Sequence, residues 1–452
     1  MMISVKGVVF FIYICLFYFF VNGKCCYDKH ITKNENSVNY KEKKDKEKKD
    51  DDINRDKDKV IGDIKEISRY KFNNSSNLFR MTDGYKSKID KVLNNVDEGN
   101  RIFIQSDTEG KLFSIYYGLF IAGIISKIDT CNKIYYDIDT GDFSDNCEKK
   151  DLCINYVEIN KNFKGTYIHC GDILDRCQNT NGCIDCLLLL LYIKKQLPDH
   201  VKLICGNHEI MTNYSTKGCC NKSDILTTIV SQALKKEWLK YIDDIKIGNE
   251  DFILTHKELT NNDFFRIYKF VNELKDKNLK YDIYELRDIN EKLDDYQISN
   301  IKFNDFGIGN DFTKAIFNVK NEFNKLFSNF IYNNVDKKGI NSDIARYFEH
   351  CGIDVIVNKT NIDLKNHKDS LKKQICGHIH REYDNCYFKN SKILYVDNYS
   401  TSDSDGTSGD FKMNLHIIDK SKDIENDKIV CIFNKSSDNF KIYDIKTNKY
   451  VG

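Results

Sequence analysis

GTYIHCGDILDR (Gly165 to Arg176) and VKLICGNHEIM (Val201 to Met211) decide how this chain folds. Each opens on a short run rich in Ile, Val, Leu and Tyr and closes on a glycine followed by a polar loop. Such a run, bounded by glycine, reads as a buried strand. The apolar stretch from Ile184 to Lys195 that follows the first is long enough for a helix. The same unit recurs outward: RIFIQ (Arg101 to Gln105) precedes SDTEG and a helix around Phe113 to Ile125, and FILT (Phe252 to Thr255) runs into His256. DVIV, QIC, ILYVD and NLHIID are further short apolar strands. Strands alternating with helices predict an α/β sheet covered on both sides, with ligands bound where loops leave the carboxyl ends of the strands.

The chain has 452 residues, enough for one large domain with extensions or two modest ones. Its 69 basic and 68 acidic residues nearly cancel to a net charge of +1, so no nucleic-acid partner is expected. Lys6, the apolar run Gly7 to Val21 and then Asn22, Gly23 and Lys24 have the layout of a signal peptide over residues 1–23; an uncleaved anchor is the alternative, and the shortness of the run favours cleavage. That layout predicts the secretory pathway or the cell exterior, and no other segment is apolar enough to cross a bilayer. KEKKDKEKKDDDINRDKDK (Lys41 to Lys59) has no apolar face, which predicts a disordered leader over 24–98 ahead of a domain over 99–452. Polar stretches at 131–163 and 259–341 read as insertions that either wall the site or decorate the surface. Of 17 cysteines, sixteen remain once Cys15 leaves with the signal, an even number that permits full pairing. Cys183 and Cys186 form a CxxC without a second such pair, and a structural disulfide is expected there. Cys170, Cys205 and Cys376 each precede a motif glycine and are expected as small residues closing packed strands.

In order, the polar loops carry Asp107, Glu109 and Gly110; Gly171, Asp172, Asp175 and Arg176; Gly206, Asn207, His208 and Glu209; His256; and Gly377, His378 and His380. Taken singly, Asp and Asn are ordinary loop and cap residues, and His256 fits a buried structural histidine. Five such loops, each at a strand end, point instead to a pair of divalent cations. Two cations a few ångströms apart repel, so an anionic ligand should bridge them, and Asp172 is the expected bridge. Such a pair would polarise a phosphate ester and lower the pKa of water, which makes phosphoester hydrolysis the natural reaction.

This set resembles the calcineurin-like metallophosphoesterases. GDxxDR with GNHE is similar to the phosphoprotein phosphatase type, and GNHEIM with AGIISKID to the bacterial-type Shewanella-like phosphatases. The resemblance covers roughly Ile102 to Ile418, leaves the two insertions unmatched, and implies a β-sandwich flanked by helices. It implies that Asp107, Asp172 and His380 hold a first metal and that Asp172, Asn207, His256 and His378 hold a second, as Mn²⁺, Fe²⁺/Fe³⁺ or Zn²⁺. It further implies that His208 protonates the leaving group while Asp175 orients its ring, and that Arg176 grips the phosphate of a phosphorylated protein or small molecule, with Asn207 and His208 also facing the substrate.

The GHIH ending (Gly377 to His380), with two histidines, resembles the broader metallophosphoesterases more than the core protein phosphatases, and the chain departs from the family at two further places. Where the family has Asp-x-His, here Glu109 follows Asp107 and Thr108. A bound Glu109 would favour harder ions such as Mn²⁺ or Mg²⁺, whereas an unbound one leaves the first site a ligand short. Lys257 and Glu258 replace paired glycines behind His256, so that loop should sit differently. Three functions stay open from the sequence: a phosphomonoesterase, a phosphodiesterase or dinucleoside polyphosphate hydrolase on the same metals, and a binding protein that has lost turnover.

Overall fold

The computed structural model describes residues 96–144, 152–174, 180–211, 224–259, 267, 271, 312–335, 373–378, 387–388, 392–396, 415–422, 430–434, 440–444 and 449–451. The signal segment, the charged leader, the DVIV strand, Asp175, Arg176 and His380 lie outside these residues.

Along the chain the strands are β1 (Arg101–Gln105), β2 (Ile125–Asp137), β3 (Asp142–Ser144), β4 (Leu152–Ile159), β5 (Thr166–His169), β6 (Val201–Ile204), β7 (Leu239–Lys240) and β8 (Ile242–Ile247). They continue as β9 (Glu250–Thr255), β10 (Gln374–Cys376), β11 (Tyr387–Phe388), β12 (Ile393–Tyr395), β13 (Leu415–Asp419), β14 (Val430–Asn434), β15 (Phe440–Asp444) and β16 (Lys449–Val451). The helices are α1 (Leu112–Ala122), α2 (Thr180–Gln196), α3 (Asn207–Met211), α4 (Asp224–Lys235) and α5 (Phe312–Val335). The α/β class expected from the sequence is what the chain adopts.

The chain divides into two compact units, one of Met1–Met81 with Cys131–Asn155 and one of Thr82–Thr130 with Tyr156–Gly452. In the smaller, β3 pairs antiparallel with β2 from Tyr135 opposite Ser144 to Asp137 opposite Asp142. The Asp137 carboxylate accepts from the Asp139 N–H at 2.8 Å and closes that turn, while Tyr136 and Phe143 meet edge to face. The first stretch read as an insertion is therefore largely strand.

The larger unit holds an eight-stranded sheet, β16-β15-β14-β13-β1-β5-β6-β7, and a five-stranded sheet, β11-β12-β10-β9-β8. In the first, β1, β5, β6 and β7 run parallel; in the second, β9, β10 and β12 do. Parallel strands buried on both faces are near-continuously apolar, and β1 and β5 are buried at nearly every position. One apolar cluster joins Ile104, Ile168 and Ile204 of the eight-stranded sheet to Phe252, Leu254, Ile375 and Leu394 of the five-stranded one. Helix α1 packs on β1 and α2, and α2 packs on β6. The eight-stranded sheet is thus covered by helices and by a second sheet, in keeping with the expectation of a sheet covered on both sides. Its apolar strands need a partner on each side, and a sheet serves as well as a helix.

Helix α5, in the second stretch read as an insertion, packs on the start of β8. Its Phe323 and Phe327 pack on Tyr241, with ring centroids at 6.3 and 4.5 Å. Asn324 accepts from the Tyr241 and Ile242 N–H groups at 2.9 and 3.1 Å and donates to the Ile242 carbonyl at 2.6 Å. One amide satisfies backbone groups that would otherwise be buried without partners. The CxxC also differs from expectation: Cys183 is disulfide-bonded, but Cys186 keeps its thiol, so the two do not pair. Cys131, Cys153, Cys170, Cys205 and Cys376 keep thiols too, so pairing is not complete. Cys170, Cys205 and Cys376 are buried strand-end residues as expected.

Two outcomes follow from this packing. Asn324→Ala strips partners from three buried backbone groups and should lower the unfolding free energy by about 3 kcal/mol in a denaturant titration; a loss below about 1 kcal/mol would contradict the role given to the amide. His416 of β13 is fully buried and hydrogen-bonded to the Val396 backbone, and burial lowers its pKa from 6.5 to about 4. Below pH 6.5 the unfolded chain takes a proton that the folded chain refuses. Stability is therefore full above 6.5 and falls by about 1.4 kcal/mol per pH unit towards pH 4 from this group. His416→Gln should flatten that slope in melts between pH 7.5 and 5; an unchanged slope would refute the assignment.

Candidate metal centre

Five of the parallel strands, β1, β5 and β6 of one sheet and β9 and β10 of the other, lead into a motif residue. Because the strands within each sheet run the same way, their carboxyl ends share one edge: Asp107 follows β1, Asp172 follows β5, and Asn207 and His208 open α3 after β6. On the other sheet His256 follows β9 and His378 follows β10.

The loops are tied backbone to backbone. The Asp107 N–H donates to the Gly171 carbonyl at 2.9 Å, Glu109 N–H to Asp172 at 3.1 Å, and Gly110 N–H to Ile173 at 2.7 Å. These bonds hold a tight course, with φ at 50° for Asp107, 50° for Glu109, 51° for Asp172 and 64° for His378. Left-handed backbone at four residues with side chains is strain, and such strain gathers at functional sites. Gly206 is cramped rather than twisted, since a Cβ there would run into Asp172 Oδ1 and the Asp172 nitrogen.

Donor atoms converge at Asp172. His256 Nε2 lies 3.1 Å from Asp172 Oδ2 and 3.1 Å from His378 Nδ1. One head of the Asn207 amide lies 3.0 Å from His256 Nε2, 3.2 Å from His378 Nδ1, and 3.1 and 3.2 Å from the two Asp172 oxygens. His256 Nδ1 is 2.8 Å from the Cys170 carbonyl, which only accepts, so a hydrogen sits on Nδ1 and Nε2 is the ring nitrogen that faces the cluster. A carboxylate and two ring nitrogens within bonding reach of one another form a donor set that suits a divalent cation of the Zn²⁺ or Mn²⁺ kind, and the Asn207 amide lies against all three.

Electrostatics follow this crowding. Burial opposes charge on Asp172, yet His256 and His208 hold its carboxyl below the usual range. Burial likewise opposes charge on His256, but Asp172 and then Asp107 raise its pKa to about 10. Burial and the neighbouring His256 lower His378 to about 3. The metal-free cluster thus keeps its compensating positive charge on His256.

The other expected residues divide. Asp107 Oδ2 accepts from the His378 N–H at 3.2 Å, so it borders the cluster. His208 donates its backbone N–H to Asp172 Oδ1 at 3.0 Å, and its ring, with Nε2 3.7 Å from Asp172 Oδ2, is more exposed than that of His256. Glu109 sits apart: its carboxylate pairs with Lys111 at 3.2 Å and does not join the converging donors among the described residues. The loop after His256 is buried and clamped, as Gln374 exchanges two 2.9 Å hydrogen bonds with the Leu259 backbone and Tyr395 donates to Glu258.

Sequence reasoning gave no role to three buried residues. Ser106 donates to Asp107 and also lies 3.1 Å from the Cys170 carbonyl. His169 meets the Thr108 hydroxyl at 3.1 Å behind the first loop. Glu209 accepts backbone N–H bonds from Asp172, Leu174 and Gly206, and burial and the nearby Asp172 raise its carboxyl pKa to about 7. The signal for Glu209 lay in the GNHE run; nothing local to Ser106 or His169 marked them.

Gly206→Ala tests the crowding directly. It should cost about 1–3 kcal/mol of stability, the range for an overpacked site, measured by thermal and denaturant unfolding. A neutral substitution would show that the Asp172 loop relaxes freely.

No protein-family model matches the chain, and neither does any curated protein. Among solved structures it is similar to a cold-active protein-tyrosine phosphatase of a psychrophile, Shewanella sp., with a TM-score of 0.31 and 14% identity over 76% of this chain and 80% of that one. A second structure of a cold-active protein tyrosine phosphatase gives a TM-score of 0.31 at 14% identity, over 77% and 80%. A mutant of a cold-active protein tyrosine phosphatase gives 0.29 at 14%, over 76% and 80%.

Proposed function

We propose that this chain is a metal-dependent phosphatase of the calcineurin-like metallophosphoesterase type, a sandwich of two sheets that hydrolyses phosphate monoesters at their shared edge. The observation that carries this reading is the convergence of Asp172, Asn207, His256 and His378 from both sheets onto one point. These four would hold one cation, and Asp107, His380 and the shared Asp172 a second. When bound, the cations supply Lewis acidity at a phosphoryl oxygen and a lowered pKa for water.

The chain's own residues supply the rest. Asp172 would provide the negative charge that such cations need, and Asn207 would add an uncharged oxygen once its amide turns from the orientation it has without metal. Cys170 fixes the tautomer of His256 through its carbonyl. His208, with the more exposed ring, would hand a proton from Nε2 to the leaving oxygen; the resemblance gives Asp175, which would orient that ring, and Arg176, which would grip the phosphate, both outside the described residues. Glu109, held by Lys111, serves the first loop rather than a metal. The apolar run before Asn22 supports secretion of the enzyme, and a phosphorylated protein or small molecule is its substrate.

The protein should hydrolyse an aryl phosphate with Mn²⁺ added and lose that activity to a chelator. Asp172→Asn should lower kcat/KM by about 100-fold or more, since it removes the shared charge. An unchanged rate would reject the site. Phosphotyrosyl peptide, phosphodiester and dinucleoside polyphosphate substrates run beside the aryl phosphate give the class, and a preference for the diester would overturn the monoester assignment.

A further inference from the structure

We infer that Glu209 is a positioning residue that sets the cation affinity of the Asp172 cluster, an inference that rests on reading the cluster as a metal centre. Glu209 is 0% exposed, in the short helix that begins at Asn207. Its Oε2 accepts the N–H groups of Asp172 at 3.0 Å and Gly206 at 2.6 Å, and its Oε1 accepts that of Leu174 at 2.8 Å. Two of these donors belong to the loop after β5 and one to the loop after β6, so a single side chain fastens both loops.

The fastening acts on the carboxylate that the cation would use. Asp172 leaves the backbone at a φ of 51°, a conformation that needs support. Glu209 accepts the Asp172 N–H at 3.0 Å, while the His208 backbone N–H donates to Asp172 Oδ1 at 3.0 Å. Only a carboxylate presents acceptors alone on both oxygens. Glutamine would turn an NH₂ group toward backbone N–H groups, so at least one of the three bonds would be lost. Glu209 touches no substrate in this arrangement and acts through Asp172 and Gly206.

The test titrates Mn²⁺ alone into the full chain by calorimetry, for wild type, Glu209→Gln, Glu209→Asp and Asn324→Ala. Loss of an outer support costs about 10–100-fold in metal affinity; that weakening is expected for Glu209→Gln and, in smaller measure, for Glu209→Asp. Asn324→Ala destabilises the fold elsewhere and should bind as wild type does. Equal affinities in wild type and both Glu209 variants, or the same weakening in Asn324→Ala, would overturn the inference while the metal reading stands. No Mn²⁺ uptake by wild type would overturn both. Should the Glu209 variants not fold, hydrogen exchange in wild type decides, because coupling is reciprocal. Mn²⁺ should slow exchange of the Asp172, Leu174 and Gly206 amides, and unchanged rates would overturn the inference.

Discussion

A carboxylate buried where two sheets meet needs charge and hydrogen bonds from both, and Asp172 has them. One oxygen takes the His208 N–H, and the other faces His256 across 3.1 Å. Because His256 follows β9 and Asp172 follows β5, this contact also locks the five-stranded sheet to the eight-stranded one. The apolar cluster beneath holds the sheets face to face, but apolar contact is not directional. The polar seam sets how their edges align, since a misplaced edge would leave a buried charge without compensation.

Strain at that seam fits the same account. Asp107, Glu109, Asp172 and His378 all adopt positive φ, which no local preference of aspartate, glutamate or histidine would choose four times over. Hydrogen bonds between the loops after β1 and β5 hold three of them, and the His378 N–H reaches the Asp107 carboxylate to hold the fourth. Conflict between local preference and global arrangement is concentrated where donor atoms converge, as expected when a fold gives up local comfort for a site.

The strands that matter most for the site were readable because they are short, apolar and ended by glycine. RIFIQ, GTYIHC, VKLIC, FILT and QIC became β1, β5, β6, β9 and β10, and each delivered its motif residue to the same kind of position. Strands β14 to β16 were not foreseen, because they form an antiparallel meander in an Asn- and Lys-rich stretch with no clear period. The spacing of Glu109 to Asp107 left open whether it binds a metal, and only tertiary structure brings its carboxylate 3.2 Å from Lys111. The CxxC suggested a bond between Cys183 and Cys186, but Cys186 sits on the buried side of α2 with its thiol intact. Nothing in the spacing of cysteines says which pair.

Residue order alone determined which loops carry the polar chemistry and that each ends a strand, since both depend on local composition and period. It also determined the α/β class, because apolar runs of two lengths alternate along the chain. Tertiary structure decided what faces what: a sheet against a sheet, Asn324 against the backbone of β8, Glu209 under two loops, and His256 against His378. Those contacts join residues far apart in the chain, such as the 122 positions between His256 and His378, and local preference holds no information about distance across a fold.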